Sequence, residues 1–308
     1  MKTFEIRKVL VAMDFSPESM NALKTAVAIC KRQFAVLTLI HVVEIPLFYT
    51  VESGRMLNAM LPGLVKIANE NLGALSKKIA IEHSIPVSHI VQSGNAADEV
   101  CRWAFDYETD LVVTGTHGTS GLREFFLGSN SYRVVKNAPC PVLTIPGNNT
   151  WIDFRKILFP VRLVPHILDK YDIVRPIAKK NGSSMLIAGL VDKREVADAN
   201  EMSVLVDYIR NQISEDDIIC NGKVYYCEDI TKQVLTLSNL EKPDLIVITT
   251  SLDETIRDFF LGPYSQGIVN RSLFPVLSIR PSFSDQSQQS LSKRIVDNFD
   301  SLYQRASA

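Results

Sequence analysis

Residues Asp110 to Ile145 read DLVVTGTHGTSGLREFFLGSNSYRVVKNAPCPVLTI, and this stretch decides the fold. An apolar run (Leu111, Val112, Val113) leads straight into Gly115, and Gly118 follows three residues later. Nine residues separate Gly118 from Gly128-Ser129, where an amphipathic helix is expected to begin. Glycine lets a backbone turn tightly and approach a ligand with no Cβ in the way. Successive backbone N–H groups then form a concave nest for anionic oxygens, and a helix start at Ser129 adds unpaired donors and the positive end of a dipole. A strand followed by such a loop and helix is an anion site in an α/β fold.

The same pattern occurs again downstream. Asp244 to Ile279 reads DLIVITTSLDETIRDFFLGPYSQGIVNRSLFPVLSI and matches the first stretch at about 15 of 36 positions without a gap. Lys8-Val-Leu-Val-Ala-Met-Asp14 likewise corresponds to Lys156-Ile-Leu-Phe-Pro-Val-Arg162. The copies are offset by 148 residues at Lys8/Lys156 and by 134 at Asp110/Asp244, so the second is 14 residues shorter between these anchors. The chain is therefore a tandem duplication, with a turn-rich junction at Pro146-Gly-Asn-Asn-Thr150.

Within the first copy, strands are expected over 9–13, 35–43, 87–92, from Leu111, and over 142–145. Helices are expected from Ser16-Pro17-Glu18, over about 56–83 and over 95–106. Ser16 and Pro17 suit the N-cap and first helical positions. Ala22, Leu23, Ala26, Val27 and Cys30 recur at helical spacing. In the second copy strands are expected over 157–161, 185–191, 223–227, 245–249 and 276–279. Apolar strands joined by helices give a parallel sheet with right-handed crossovers, and ligands of such sheets lie beyond the strand carboxyl ends. The resulting expectation is an α/β protein of two domains, 1–147 and 151–281, each built on a five-stranded parallel sheet. Residues 282–308 follow as a polar linker with a short amphipathic helix at Leu291–Tyr303.

Composition excludes several classes. The 308 residues are 46% hydrophobic and 22% charged with a net charge of −1. No basic field draws such a chain to nucleic acid or an anionic membrane. The start MKTFEIRKVLVAMDF lacks the apolar core of a signal peptide, and the stretch from Val36 to Tyr49 is too short to span a bilayer. A cytoplasmic protein without nucleic-acid or membrane partners is expected. The five cysteines are scattered and the five histidines dispersed, so neither a disulfide framework nor a metal site is expected. Cys30 and Cys101 read as small buried hydrophobes.

The spacing Gly-x2-Gly-x9-Gly-Ser lacks the ending of a Walker A loop and differs from the dinucleotide fingerprint. It resembles the ATP-binding pattern of the universal stress protein family, and the flanking strands resemble that family too, over nearly all of residues 1–281. The resemblance implies a Rossmann-like, adenine-nucleotide-binding domain in each copy. Gly115, Gly118, Gly128 and Ser129 would then bind phosphates and ribose, and Ser131 would stand for a hydroxyl that also reaches the phosphates. Asp14 would hold the nucleoside end, the backbone of Val42 would meet adenine, and Ala12 would line the same pocket. His117 and Arg123 lie in the loop, but neither has a sequence partner that makes it catalytic.

The second copy departs from the pattern at Thr249, Leu252, Pro263 and Arg162, which replace Gly115, Gly118, Ser129 and Asp14; only Gly262 is kept. Leucine fills the nest and proline removes a donor, so one competent ATP site per chain, with or without Mg²⁺, is expected. The resemblance implies a stress-response regulator in which the two copies form the pair that single-domain relatives form as homodimers. Dimerisation of the whole chain and an unidentified protein partner belong to the same expectation. Two rivals remain at this stage: a slow ATPase or nucleotidyl-transfer enzyme, and an ATP-independent protein- or ligand-binding module. Site chemistry must separate them, because fold alone does not.

Overall fold

Runs of β-branched residues become strands, and the segments of helical period between them become helices. The computed structural model describes residues 4–45, 51–116, 128–147, 150–163, 169–194, 199–250 and 262–280. Gly118, His117, Arg123, Leu252 and the expected C-terminal helix lie outside these residues. The first half runs β1 (Lys8–Ala12), α1 (Pro17–Gln33), β2 (Val36–Glu44), α2 (Val51–His83), β3 (Val87–Gly94), α3 (Ala96–Asp106), β4 (Leu111–Gly115), α4 (Ser129–Asn137) and β5 (Val142–Ile145). The second half repeats that order as β6 (Lys156–Val161), α5 (Asp169–Asn181), β7 (Ser184–Asp192), α6 (Ala199–Ser214), β8 (Ile219–Cys227), α7 (Ile230–Glu241), β9 (Leu245–Thr249), α8 (Pro263–Arg271) and β10 (Val276–Ile279).

All ten strands form one sheet in the order β3-β2-β1-β4-β5-β10-β9-β6-β7-β8. Every neighbouring pair is parallel except β5 with β10, which is antiparallel. The two halves are thus related by a pseudo-twofold between β5 and β10, where Leu277 stands opposite Leu143. Both leucines are fully buried, and Thr144 Oγ1 donates to Val276 O across the seam at 3.2 Å. Each face of the sheet carries an apolar cluster that runs through both halves. One joins α1 and α5 residues, and the other joins residues of α3, α4, α7 and α8.

The duplication is visible in atomic detail. Asp110 Oδ2 accepts from the backbone N–H groups of Arg7 and Lys8, each at 2.8 Å. Asp244 Oδ2 does the same for Arg155 (2.9 Å) and Lys156 (2.8 Å). Lys8 Nζ donates to Tyr107 O, and Lys156 Nζ to Glu241 O. In each half an aspartate just before the fourth strand pins the start of the first, which fixes their register.

Two boundaries differ from the sequence expectation. Helix α2 begins at Val51, five residues before the expected start. Strand β8 begins at Ile219 rather than at 223, because Cys220 and Asn221 are held in register with Met185 and Leu186 of β7. Asn221-Gly222 carries a turn signature, and tertiary pairing overrides it. Gly222 is needed there, since a Cβ would lie 2.5 Å from Val206 Cγ1 of α6.

Because the seam carries the core of both halves, Leu277→Ala is expected to cost about 2–5 kcal/mol, the usual range for a fully buried leucine. Urea unfolding of the variant against the parent chain measures it.

Candidate functional site

Strands β1 and β4 are neighbours, but the chain leaves them toward opposite faces of the sheet. Helix α1, which follows β1, packs in one apolar cluster, and α4, which follows β4, packs in the other. The divergence opens a crevice at the carboxyl ends, the topological switch point of the first half. Ala12 ends β1 half-buried, paired with Ile40. Two residues on, Asp14 Oδ1 accepts from Ser16 N at 3.0 Å and from Ser16 Oγ at 2.5 Å. Ser16 Oγ in turn accepts from Ser19 N at 3.1 Å, which caps α1 at a value of about 1 kcal/mol.

Phe15, between them, takes a left-handed conformation (φ 62°) that swings the chain from strand into helix, at a cost on the order of 1 kcal/mol for a residue with a Cβ. Its ring centroid lies 5.1 Å from that of His41, whose Nδ1 is 2.7 Å from Met13 O. These contacts tie the exit of β1 to β2. Val42 follows His41, half-buried and paired with Gln92 of β3.

From β4 the arrangement continues into α4. The carbonyl of Gly115 accepts from Ser131 Oγ at 2.7 Å, and Gly128 N donates to Thr116 O at 2.7 Å. Gly128 is the N-cap of α4 and no side chain caps the helix. Ser129, Asn130 and Ser131 therefore form a first turn whose N–H groups have no side-chain acceptor, the state in which a helix end binds anions. Asn130 Nδ2 donates to Glu44 Oε1 at 2.7 Å, so the end of β2 reaches this turn.

Ala12, Asp14, Val42, Gly115, Gly128, Ser129 and Ser131 accordingly gather at one carboxyl edge. Gly118 completes the set in sequence but lies outside the described residues. Ser16, Glu44 and Asn130 belong to the same edge and were not singled out from the sequence. Ser16 was read only as a cap, and the Glu44–Asn130 contact joins residues 86 apart.

Gly115 has a second reason to be glycine. A Cβ there would lie 3.0 Å from the backbone carbonyl carbon and the Cβ of Glu18 in the first turn of α1. Ser131 also has a structural share, because Ser265 repeats its bond in the second half by donating to Thr249 O at 3.2 Å. Arg162 takes the place of Asp14, with its guanidinium carbon 4.2 Å from the centroid of the Tyr264 ring. Pro263 opens α8 where Ser129 opens α4. One half thus presents a carboxylate at this position and the other a cation on an aromatic face.

Thiol chemistry is suppressed in the first half. Burial pushes the Cys30 and Cys140 thiols up to about 12 and that of Cys101 up to about 11, so none is a thiolate near neutrality. Cys30 is buried as the sequence suggests, and Cys101 is half-buried.

Comparison with known proteins agrees with the geometry. Residues 5–146 match the Universal stress protein family. The chain is 33% identical over 152 residues to the universal stress protein YxiE of Bacillus subtilis, covering 45% of this chain and 97% of that protein. The crystal structure of a universal stress protein from Archaeoglobus fulgidus superposes on both halves, with a TM-score of 0.70 at 17% identity, covering 89% of this chain and 98% of that one; this shows the shared fold. A universal stress protein solved in complex with cAMP covers 48% of this chain and 100% of its own, at 19% identity and a TM-score of 0.35.

The contact at Gly115 generates a direct expectation. Gly115→Ala forces the start of α1 to shift and should cost about 1–3 kcal/mol, as overpacking does. A thermal unfolding midpoint equal to that of the parent chain would show that α1 yields freely.

Proposed function

The chain belongs to the universal stress protein family, and from that premise we propose that it is a stress-response regulator whose first half binds ATP between the carboxyl ends of β1 and β4. The observation that carries this reading is the uncapped first turn of α4 at the switch point of the sheet. Phosphates accept from the N–H groups of Ser129 and its neighbours and from the glycine loop at Gly118. Asp14 accepts from the nucleoside, Ala12 lines the pocket and the backbone of Val42 reads the adenine rim. Ser131, bonded to Gly115 O, keeps its oxygen as an acceptor and holds α4 against β4.

A Mg²⁺ ion entering with the nucleotide would be held chiefly by phosphate oxygens, as that ion usually is, and would offset their charge. The second half, with Thr249, Arg162 and Pro263 at the matching positions, serves as a permanent partner rather than as a second ATP site. Domain boundaries at 1–147 and 151–281, with a tail over 282–308, follow from this reading. No catalytic residue is assigned: the site holds and reports a nucleotide in the cytoplasm, and whole chains can pair further.

Two measurements test the reading. Nucleotide released from the purified chain by denaturation and quantified by chromatography should be adenine nucleotide at about one per chain, the stoichiometry of a single pocket. Two per chain would contradict the loss of the second site, and none, together with a flat ATP titration, would remove the proposal. Ser129→Pro copies the second half into the first. Proline suits the first helical position, so stability should hold while ATP affinity falls about tenfold for one lost charge-assisted donor.

A further inference from the structure

The second half has lost the features that recommend the first for ATP, yet its own switch point is built in a way that packing does not explain. Strand β6 pairs with β9 only at Ile157↔Leu245 and Leu158↔Ile246, whereas β1 pairs with β4 through Val9, Leu10 and Val11. Pro160 stands where the first half has Ala12; it has no N–H with which to extend the ladder. The two strands part early, and their carboxyl ends frame a wider opening.

Three side chains at this opening are short of acceptors. Thr249, the last residue of β9, is 7% exposed and its Oγ1 has no hydrogen-bond partner. Its neighbour Thr250 is satisfied, donating to Ile279 O at 3.1 Å, so the orphan is a property of Thr249 and not of the strand end. Lys170, the second residue of α5, is 1% exposed. Its ammonium lies 3.9 Å from the centroid of the Phe159 ring and donates to Pro160 O. An ammonium has three donors, and among the described residues no carboxylate pairs with this one. Burial, with Arg162 adding to it, holds the Lys170 pKa well below the ordinary lysine value.

Arg162 follows β6 and rests on Tyr264 at the start of α8. The nearest equivalent of Glu44, Asp192 at the end of β7, is engaged by Arg194, whose N and Nε each donate to Asp192 Oδ1 at 2.9 Å. Thr249 and Lys170 share one face of the sheet. Val247 and Phe159 both belong to the apolar cluster beneath α5, Thr249 lies two residues beyond Val247, and Lys170 covers Phe159. Carrying the β6–β9 register forward sets Thr249 opposite Val161, one residue past Pro160.

A buried hydroxyl without an acceptor and a buried cation without an anion both cost free energy unless something supplies the missing partner. We propose that the second half carries a site for a small oxyanion, the carboxylate or phosphate group of a metabolite, between the carboxyl ends of β6 and β9. Thr249 Oγ donates a hydrogen bond to it, Lys170 supplies the opposite charge, and Arg162 stands at the mouth. The site does not depend on ATP binding in the first half. The replacements that disable the second half for ATP are, on this reading, the ones that equip it for a smaller anion.

The test uses the full-length chain with ¹³C-labelled lysine side chains, the Lys170 signal being assigned by its loss in Lys170→Met. Inorganic phosphate and acetate are titrated separately. The Lys170 signal should move saturably with phosphate, with acetate or with both, and the ion that moves it names the group. Phosphate taken up at α4 leaves this signal in place, so the two halves are read independently. Arg162→Gln should weaken the response about tenfold. Thr249→Val should weaken it similarly without lowering the unfolding temperature, because it discards an unsatisfied hydroxyl and keeps the shape. A Lys170 signal unmoved by either ion up to about 50 mM, weaker than any useful metabolite site, would overturn the proposal. So would a saturable response unchanged in both Thr249→Val and Arg162→Gln.

Discussion

Antiparallel pairing of β5 with β10 is the contact on which the rest of the molecule depends. A parallel α/β layer is apolar on both faces and ends in a strand whose N–H and C=O groups are unpaired. In each half that terminal strand is short and fully buried, so neither half can leave it exposed without cost. Joining the two through Leu143 and Leu277 removes both edges at once and makes each apolar cluster continuous across the seam. Parallel strands within each half and an antiparallel step between them have a geometric consequence. The carboxyl edges of the two halves point in opposite directions, so the two switch points open on opposite sides of the sheet. Each can change without obstructing the other.

That separation lets the halves serve as controls for one another. Contacts kept in both, such as Asp110 and Asp244 on the following strand starts, or Ser131 and Ser265 on the strand-end carbonyls, belong to the architecture. Positions that differ sit at the crevice: Gly115 against Thr249, Asp14 against Arg162, Ser129 against Pro263. The first group holds the strands in register and the helix against the sheet. The second sets the sign of charge and the supply of donors that a ligand meets. Gly115 belongs to both groups, since the α1 backbone crowds it from one side while the crevice lies at its other.

The strand and helix order of both halves could be read from apolar periodicity and turn chemistry, because the buried parallel sheet leaves continuous β-branched runs that nothing else produces. The start of β8 could not, since Asn221-Gly222 signals a turn locally and becomes strand only through its ladder with β7. The candidate nucleotide residues were legible as a spaced glycine motif between two strands. The Glu44–Asn130 hydrogen bond was not, because it joins the ends of β2 and α4, which only the sheet order brings within reach.

What the sequence determined by itself was the duplication, the α/β class and the positions where the two copies disagree, because identity at fixed spacing and local periodicity are properties of the chain alone. Tertiary structure decided which of those positions face one another and what each one lacks. Lys170 is an ordinary surface-type residue until α5 lays it over Phe159, and Thr249 an ordinary strand residue until β6 and β9 part. Burial and the presence or absence of a hydrogen-bond partner depend on atoms far apart in the chain, and no local pattern encodes them.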